Sequence, residues 1–158
     1  MNTPTTHCQI CARAIKVKNG SIALHGYKRP RLGWQTASCI GARYRPYEVA
    51  CDRIPYAIEL AERFKAQREA FLHELTTNPP TTLRVLIGHG SFRQKQVAIR
   101  ERPEGFDPAN PQLDYRPNSY TTEWSSLVFA AKRDIAEVGP EIEALRKRLA
   151  DWKAPEAA

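Results

Sequence analysis

The sequence predicts an α+β chain in which a small basic module, a cysteine knuckle with a β-hairpin, precedes a scaffold of long helices that carries a second β-hairpin. Three observations predict it. Three of the four cysteines and two of the four histidines fall within residues 6–39. Asn19-Gly20 separates two short β-compatible runs. A 4-3 apolar repeat extends from Trp124 to Trp152, the spacing of a heptad seam on a helix.

The knuckle comes first. Cys8 and Cys11 are spaced Cys-x2-Cys, and after them "AIKVKNGSIALHGY" places Asn19-Gly20 where a type I′ turn needs two residues at positive φ. Strands are expected near 14–18 and 21–25, which sets His25 at the end of the returning strand. "KRPRLGWQTAS" reads as a loop before Cys39, broken by Pro30 and Gly33. A second loop leads past Cys51 to Pro55 at the head of a helix. The boundary between the basic finger, 1–54, and the scaffold, 55–158, is drawn there.

Residues 55–76 have helical spacing, with Ala57, Ala61, Phe64, Phe71 and Leu75 on one stripe that Arg68 interrupts. "TTNPPTT" ends it. Residues 82–101 read as a hairpin, with Leu83, Val85 and Ile87 alternating on one face, Val97 and Ile99 answering them, and "GHGSFRQK" at the tip. Residues 102–121 are proline-rich and aperiodic, an irregular connection ordered by Phe106, Tyr115 and Tyr120. The last helix carries Trp124, Val128, Ala131, Ile135, Val138, Ile142, Leu145, Leu149 and Trp152 in phase through Gly139-Pro140, so a kink is expected there and not a reversal. Its partner is the 55–76 helix in a coiled-coil-like pair. The 124–152 seam could also join two copies as a homodimer.

Composition narrows the function. The net charge of +7 lies wholly in residues 1–54, which hold nine bases against Glu48 and Asp52, whereas the remainder is balanced. No apolar run approaches the roughly 18 residues that span a bilayer, and "MNTPTTHCQI" lacks the basic and apolar regions of a secretion leader. No membrane association is expected, and a cytoplasmic location follows. In a reducing compartment four unevenly spaced cysteines point to metal ligation before disulfides.

Zinc takes four nitrogen or sulfur ligands in a tetrahedron, and a Cys-x2-Cys knuckle aims two thiolates at one ion. Cys8, Cys11, His25 and Cys39 make a Cys3His set with intervals long enough to return the chain to the knuckle. Cys51 is the alternative fourth ligand. The expected cofactor is a structural Zn2+.

Knuckle, hairpin, loop and helix in this order resemble the treble-clef and zinc-ribbon fingers over about the first third of the chain. The stretch "HGYKRPRLGWQTASC" after the knuckle is similar to small zinc-finger proteins of bacteria and their phages. The second ligand pair departs from the treble clef, where it sits close together at the helix start, and the resemblance implies a metal-held fold without an activity.

Lys28, Arg29, Arg31 and Trp34, followed by Arg43, Tyr44 and Arg45, interleave cations with rings. Such a surface suits nucleic acid, because cations neutralise phosphates and rings stack on bases. It suits an acidic protein surface equally well. Two functions are therefore expected: a non-enzymatic, zinc-stabilised nucleic-acid-binding regulatory or accessory protein, or a protein-interaction module such as a phage or mobile-element inhibitor of a host enzyme. A metal-dependent nuclease ranks third, since His73 and His89 lie in no nuclease pattern. No nucleotide-binding fingerprint, paired-carboxylate motif or placed catalytic triad occurs.

Overall fold

The computed structural model describes residues 6–26, 38–87, 96–111, 116 and 118–154. Among these residues the chain is mixed α and β, with three small antiparallel hairpins and two helices. The chain divides into two compact units, Met1–Arg63 with Pro140–Ala158, and Phe64–Gly139. Among the described residues no helix is long and apolar enough to cross a membrane.

In the first unit β1 (Thr6–His7) pairs with β2 (Ala14–Ile15), and β3 (Val17–Lys18) pairs with β4 (Ser21–Ile22). The Asn19-Gly20 turn is as the residues predict, with both at positive φ (52° and 74°), the geometry that matches strand twist. The expected long first strand is instead split between two partners, because Ala14 and Ile15 pair back across the knuckle. On its other side the returning strand bonds a third segment: Ile22 N–H donates to the Tyr44 carbonyl and Arg43 N–H to that of Ile22.

Helix α1 (Arg53–Thr77) and helix α2 (Tyr120–Asp151) both run in part through this unit. Ile54, Ala57 and Leu145 form its apolar core, with Ile10, Tyr47, Cys51, Ile58 and Leu149 packed against them. The C-terminal end of the α2 stripe is thus spent on the knuckle segment as well as on α1. Arg146 adds an exposed bridge to Glu62.

In the second unit β5 (Thr82–Ile87) pairs with β6 (Gln96–Glu101), at the positions the alternation predicts. Leu75, Leu83, Tyr120 and Trp124 make the core, closed by Phe71, Phe106 and Val128. Phe106 stands edge-on to both Tyr120 and Trp124 at 5.2 Å, which anchors the proline-rich connection at that residue. Tyr115, expected beside them, lies outside the described residues, as does the hairpin tip at 88–95. Ser119 caps α2, its hydroxyl accepting the Thr122 N–H, as short polar side chains do at N-termini.

Two expectations about faces fail here. Val97 and Ile99 do not answer Leu83 and Val85; they are 60% and 62% exposed. The register pairs Leu83 with Arg100 and Val85 with Ala98, so Val97 and Ile99 share the opposite face with Arg84, because side chains alternate strictly along a strand. On α1, Phe64 is 38% exposed despite its place on the stripe. Arg68, read as an interruption, covers it at 5.2 Å and pairs with Asp134. Helix α2 is a single helix through Pro140, and its eight stripe residues, with Trp152 just past its end, are all buried or half-buried.

Candidate metal centre

Cys8 and Cys11 sit on a turn held at its base by the β1–β2 pairing. Cys8 N–H donates to the Arg13 carbonyl and Ala12 N–H to that of Cys8. Ala12 takes φ 58° so that the chain can leave the knuckle, a conformation a non-glycine residue adopts only under constraint. The β3–β4 hairpin then brings in His25, and Cys39 joins it directly, its N–H donating to the His25 carbonyl at 2.8 Å.

The donor atoms of Cys8, Cys11, His25 and Cys39 all lie within 4.8 Å of one another, with Cys8 and His25 buried. All four cysteines are free thiols, and Cys8 Sγ is 3.8 Å from Cys39 Sγ. That is the edge of a tetrahedron whose metal–sulfur bonds measure about 2.3 Å, and far longer than a disulfide bond of about 2.05 Å.

The histidine supplies the most specific sign. His25 Nδ1 lies 2.8 Å from the Ala23 carbonyl, and a carbonyl only accepts, so the proton is on Nδ1. Nε2 is left with a lone pair. It is buried without a hydrogen-bond partner, and since Nδ1 is engaged by Ala23, Nε2 is the nitrogen His25 has to offer the cluster of donor residues. A second hydrogen bond that fixes the tautomer and aims the other nitrogen is what metal-bound histidines use.

Cys8 and Cys39 act on each other in opposite directions. The hydrogen bond from Cys39 draws the Cys8 thiol well below its ordinary range, against burial, and backbone N–H groups of Cys11 and Ile10 assist. The Cys39 thiol is pushed up by the same shared hydrogen bond and by burial, and Gly41 N–H opposes this. Several thiols crowded together cannot all ionise without a cation among them. Two glycines permit the crowding. A Cβ on Gly41 would lie 2.5 Å from Cys8 Sγ, and one on Gly26 would lie 2.8 Å from Cys39 Cβ.

Cys51, the alternative fourth ligand, is not in the cluster. It packs half-buried against the Ile54, Ala57 and Leu145 core. His7, next to Cys8, is engaged by Glu48, whose carboxylate accepts from both its main-chain N–H and its ring. Burial pushes the Glu48 carboxyl up, but these bonds outweigh it and hold it below the usual range.

Sequence reasoning missed Gln9. Fully buried between the two cysteines, it donates to the Arg45 carbonyl and to Asp52, and accepts the first N–H of α1 from Arg53. An inward-facing amide has no spacing signature. The glycines did offer one, since Gly26 follows His25 and Gly41 lies two residues past Cys39. Of the expected contact residues, Arg43, Tyr44 and Arg45 are exposed beside the hairpin, and Arg45 pairs loosely with Asp52 at 3.6 Å. Lys28, Arg29, Arg31 and Trp34 lie outside the described residues.

Four donors from one chain converge on one point. No protein-family model matches the chain, and neither the curated proteins nor the solved structures give a significant match. The case for the centre therefore rests on its donor set and geometry.

Proposed function

We propose that this chain is a non-enzymatic nucleic-acid-binding protein, regulatory or accessory in role and cytoplasmic, whose N-terminal module is a zinc finger of treble-clef or zinc-ribbon type. The observation that carries the metal reading is the buried, unpartnered Nε2 of His25 grouped with three thiols. Three sulfurs and one imidazole are the donors of structural zinc. With Cys8, Cys11, His25 and Cys39 all ligating, no position is left for water or substrate, which suits a structural ion. Such an ion supplies folding free energy.

Charge supports the nucleic-acid reading. In residues 1–54 the only acids are Glu48, held by His7, and Asp52, held by Gln9 and Arg45. Arg13, Lys16, Lys18 and Arg43 are exposed with no ion-pair partner among the described residues. A surface with its acids engaged and its cations free attracts polyanions. Titration of a labelled oligonucleotide against salt tests the reading. Affinity should fall steeply, and replacing Lys28, Arg29 and Arg31 with alanine should lower the slope by about one per lost phosphate contact. Absence of binding at low salt overturns it.

The exposed apolar side chains of Leu24 and Ile40, which line one depression with Arg43, favour a second reading, a module that docks on an acidic protein such as a host enzyme. Capture of one stoichiometric partner from a nuclease-treated lysate, together with no oligonucleotide binding, would select it.

A further inference from the structure

Arg53 opens α1, and sequence reasoning assigned it no role. Its guanidinium carbon stands 4.1 Å from the centre of the Tyr44 ring and 4.4 Å from that of Tyr56. No carboxylate neutralises it among the described residues. Its neighbour Asp52 is taken by Gln9 and Arg45, and the first turn of α1 contains no acid.

Stacking uses the flat faces of a guanidinium and leaves its edge donors free. Nε is buried without a partner, so the terminal nitrogens are the donors left for a ligand. Two flanking rings also hold the side chain in place, which reduces the ordering cost of binding. The rings are themselves accessible, Tyr44 at 38% and Tyr56 at 43%. Beside Tyr44 lies a shallow depression of about 620 Å³ lined by Leu24, Ile40, Ala42 and the exposed Arg43.

A fixed, uncompensated guanidinium among accessible rings matches a phosphodiester flanked by unpaired bases. The phosphate can take two parallel N–H bonds, and bases stack on aromatic rings whatever their identity. A duplex hides its base faces, and an acidic protein surface offers carboxylates without stacked bases. We propose that Arg53, Tyr44 and Tyr56 form a contact for single-stranded nucleic acid, Arg53 on a phosphate and the tyrosines against bases. The inference rests on the nucleic-acid reading above and adds to it the strand state and the residues.

The test is fluorescence anisotropy on the full, metal-loaded chain, with a labelled 15-nucleotide oligothymidine, a duplex of equal length and polyglutamate as probes. The single strand should bind most tightly. Arg53→Gln should weaken it several-fold and lower the salt slope by about 0.7, and Arg53→Lys should keep the slope while losing affinity. Tyr56→Ala should weaken the single strand roughly ten-fold and leave duplex binding unchanged. Zinc content and melting temperature, measured on each variant, identify any that fails to fold. Equal binding of single strand and duplex, or folded variants that bind like the parent, overturns this inference and leaves the broader reading standing. Failure of the parent to bind either oligonucleotide overturns both, as does equal affinity for polyglutamate.

Discussion

The guanidinium of Arg148, near the C-terminus of α2, donates a hydrogen bond of 2.9 Å to the main-chain carbonyl of Cys8. Arg148 also lies over the Tyr47 ring at 3.9 Å, and Tyr47 returns a bond from its hydroxyl to the Arg148 carbonyl. Trp152 Nε1 donates to the Tyr47 carbonyl, and Tyr47 N–H to that of His7. The end of α2 is therefore fastened to the strand and turn that carry Cys8, the first of the candidate metal ligands.

Metal loss should release that fastening. If the proposed site holds one zinc per chain, ligand binding and folding share one free energy in a small closed site, and Cys8→Ser or a chelator under reducing conditions should abolish that binding. Hydrogen exchange should then show lost protection at residues 6–26 and again at 145–152. Amides around Leu75 and Trp124 should keep theirs. Unchanged exchange at 145–152 after metal removal would contradict the coupling.

The fourth ligand can be read by elemental analysis. His25→Ala should release zinc, whereas Cys51→Ala should retain it and cost about 1 kcal/mol of stability or less, the loss of a small half-buried group.

Gly41→Ala alters no ligand, yet its new Cβ would meet Cys8 Sγ at 2.5 Å. Competition with a zinc-binding dye should show affinity reduced by at least ten-fold. Gly139→Ala offers a control, since like Gly41 it lacks a positive φ but nothing lies within 4 Å of its added Cβ, and zinc affinity should be unaffected.

The Glu48 and Asp52 carboxyls are both held below their ordinary range, Glu48 by His7 against burial, and Asp52 first by the Gln9 side chain. A carboxyl with a depressed folded-state pKa adds stability above its unfolded value and loses it as pH falls through the folded value. Glu48→Gln should therefore melt below the parent at pH 7. The gap should narrow from about pH 4.5 downwards and vanish once Glu48 is protonated in the folded parent as well, a trend that differential scanning calorimetry can follow.

The core beneath the β5–β6 hairpin, to which α2 contributes Trp124, and the outer face of that hairpin should differ in cost. Trp124 is buried and its Nε1 donates to the Leu75 carbonyl. Trp124→Phe keeps an aromatic ring but orphans that acceptor, and should cost about 1–3 kcal/mol in urea unfolding. Val97→Thr and Ile99→Thr should each change stability by about 0.5 kcal/mol or less, as exposed sites do. A large loss at either would contradict the register.

What the sequence by itself determined is local. Cys-x2-Cys marks a knuckle, Asn19-Gly20 can hardly avoid a type I′ turn, and the apolar spacing from Trp124 to Trp152 forms one helical stripe, since each depends on residues a few positions apart. The excess charge of residues 1–54 is likewise a property of composition. Tertiary structure decided which distant groups meet. His25 and Cys51 were both open to the sequence as the fourth ligand, and the tertiary structure places His25 with the thiols and Cys51 against the apolar core. Period two told which residues of β6 share a face, but the pairing of Leu83 with Arg100 decided that Val97 and Ile99 face outward. Gln9 at the first N–H of α1, and Arg148 on the carbonyl of Cys8 some 140 residues away, carry no sequence signal, because a hydrogen bond across that separation is specified by the packed fold and by no local pattern.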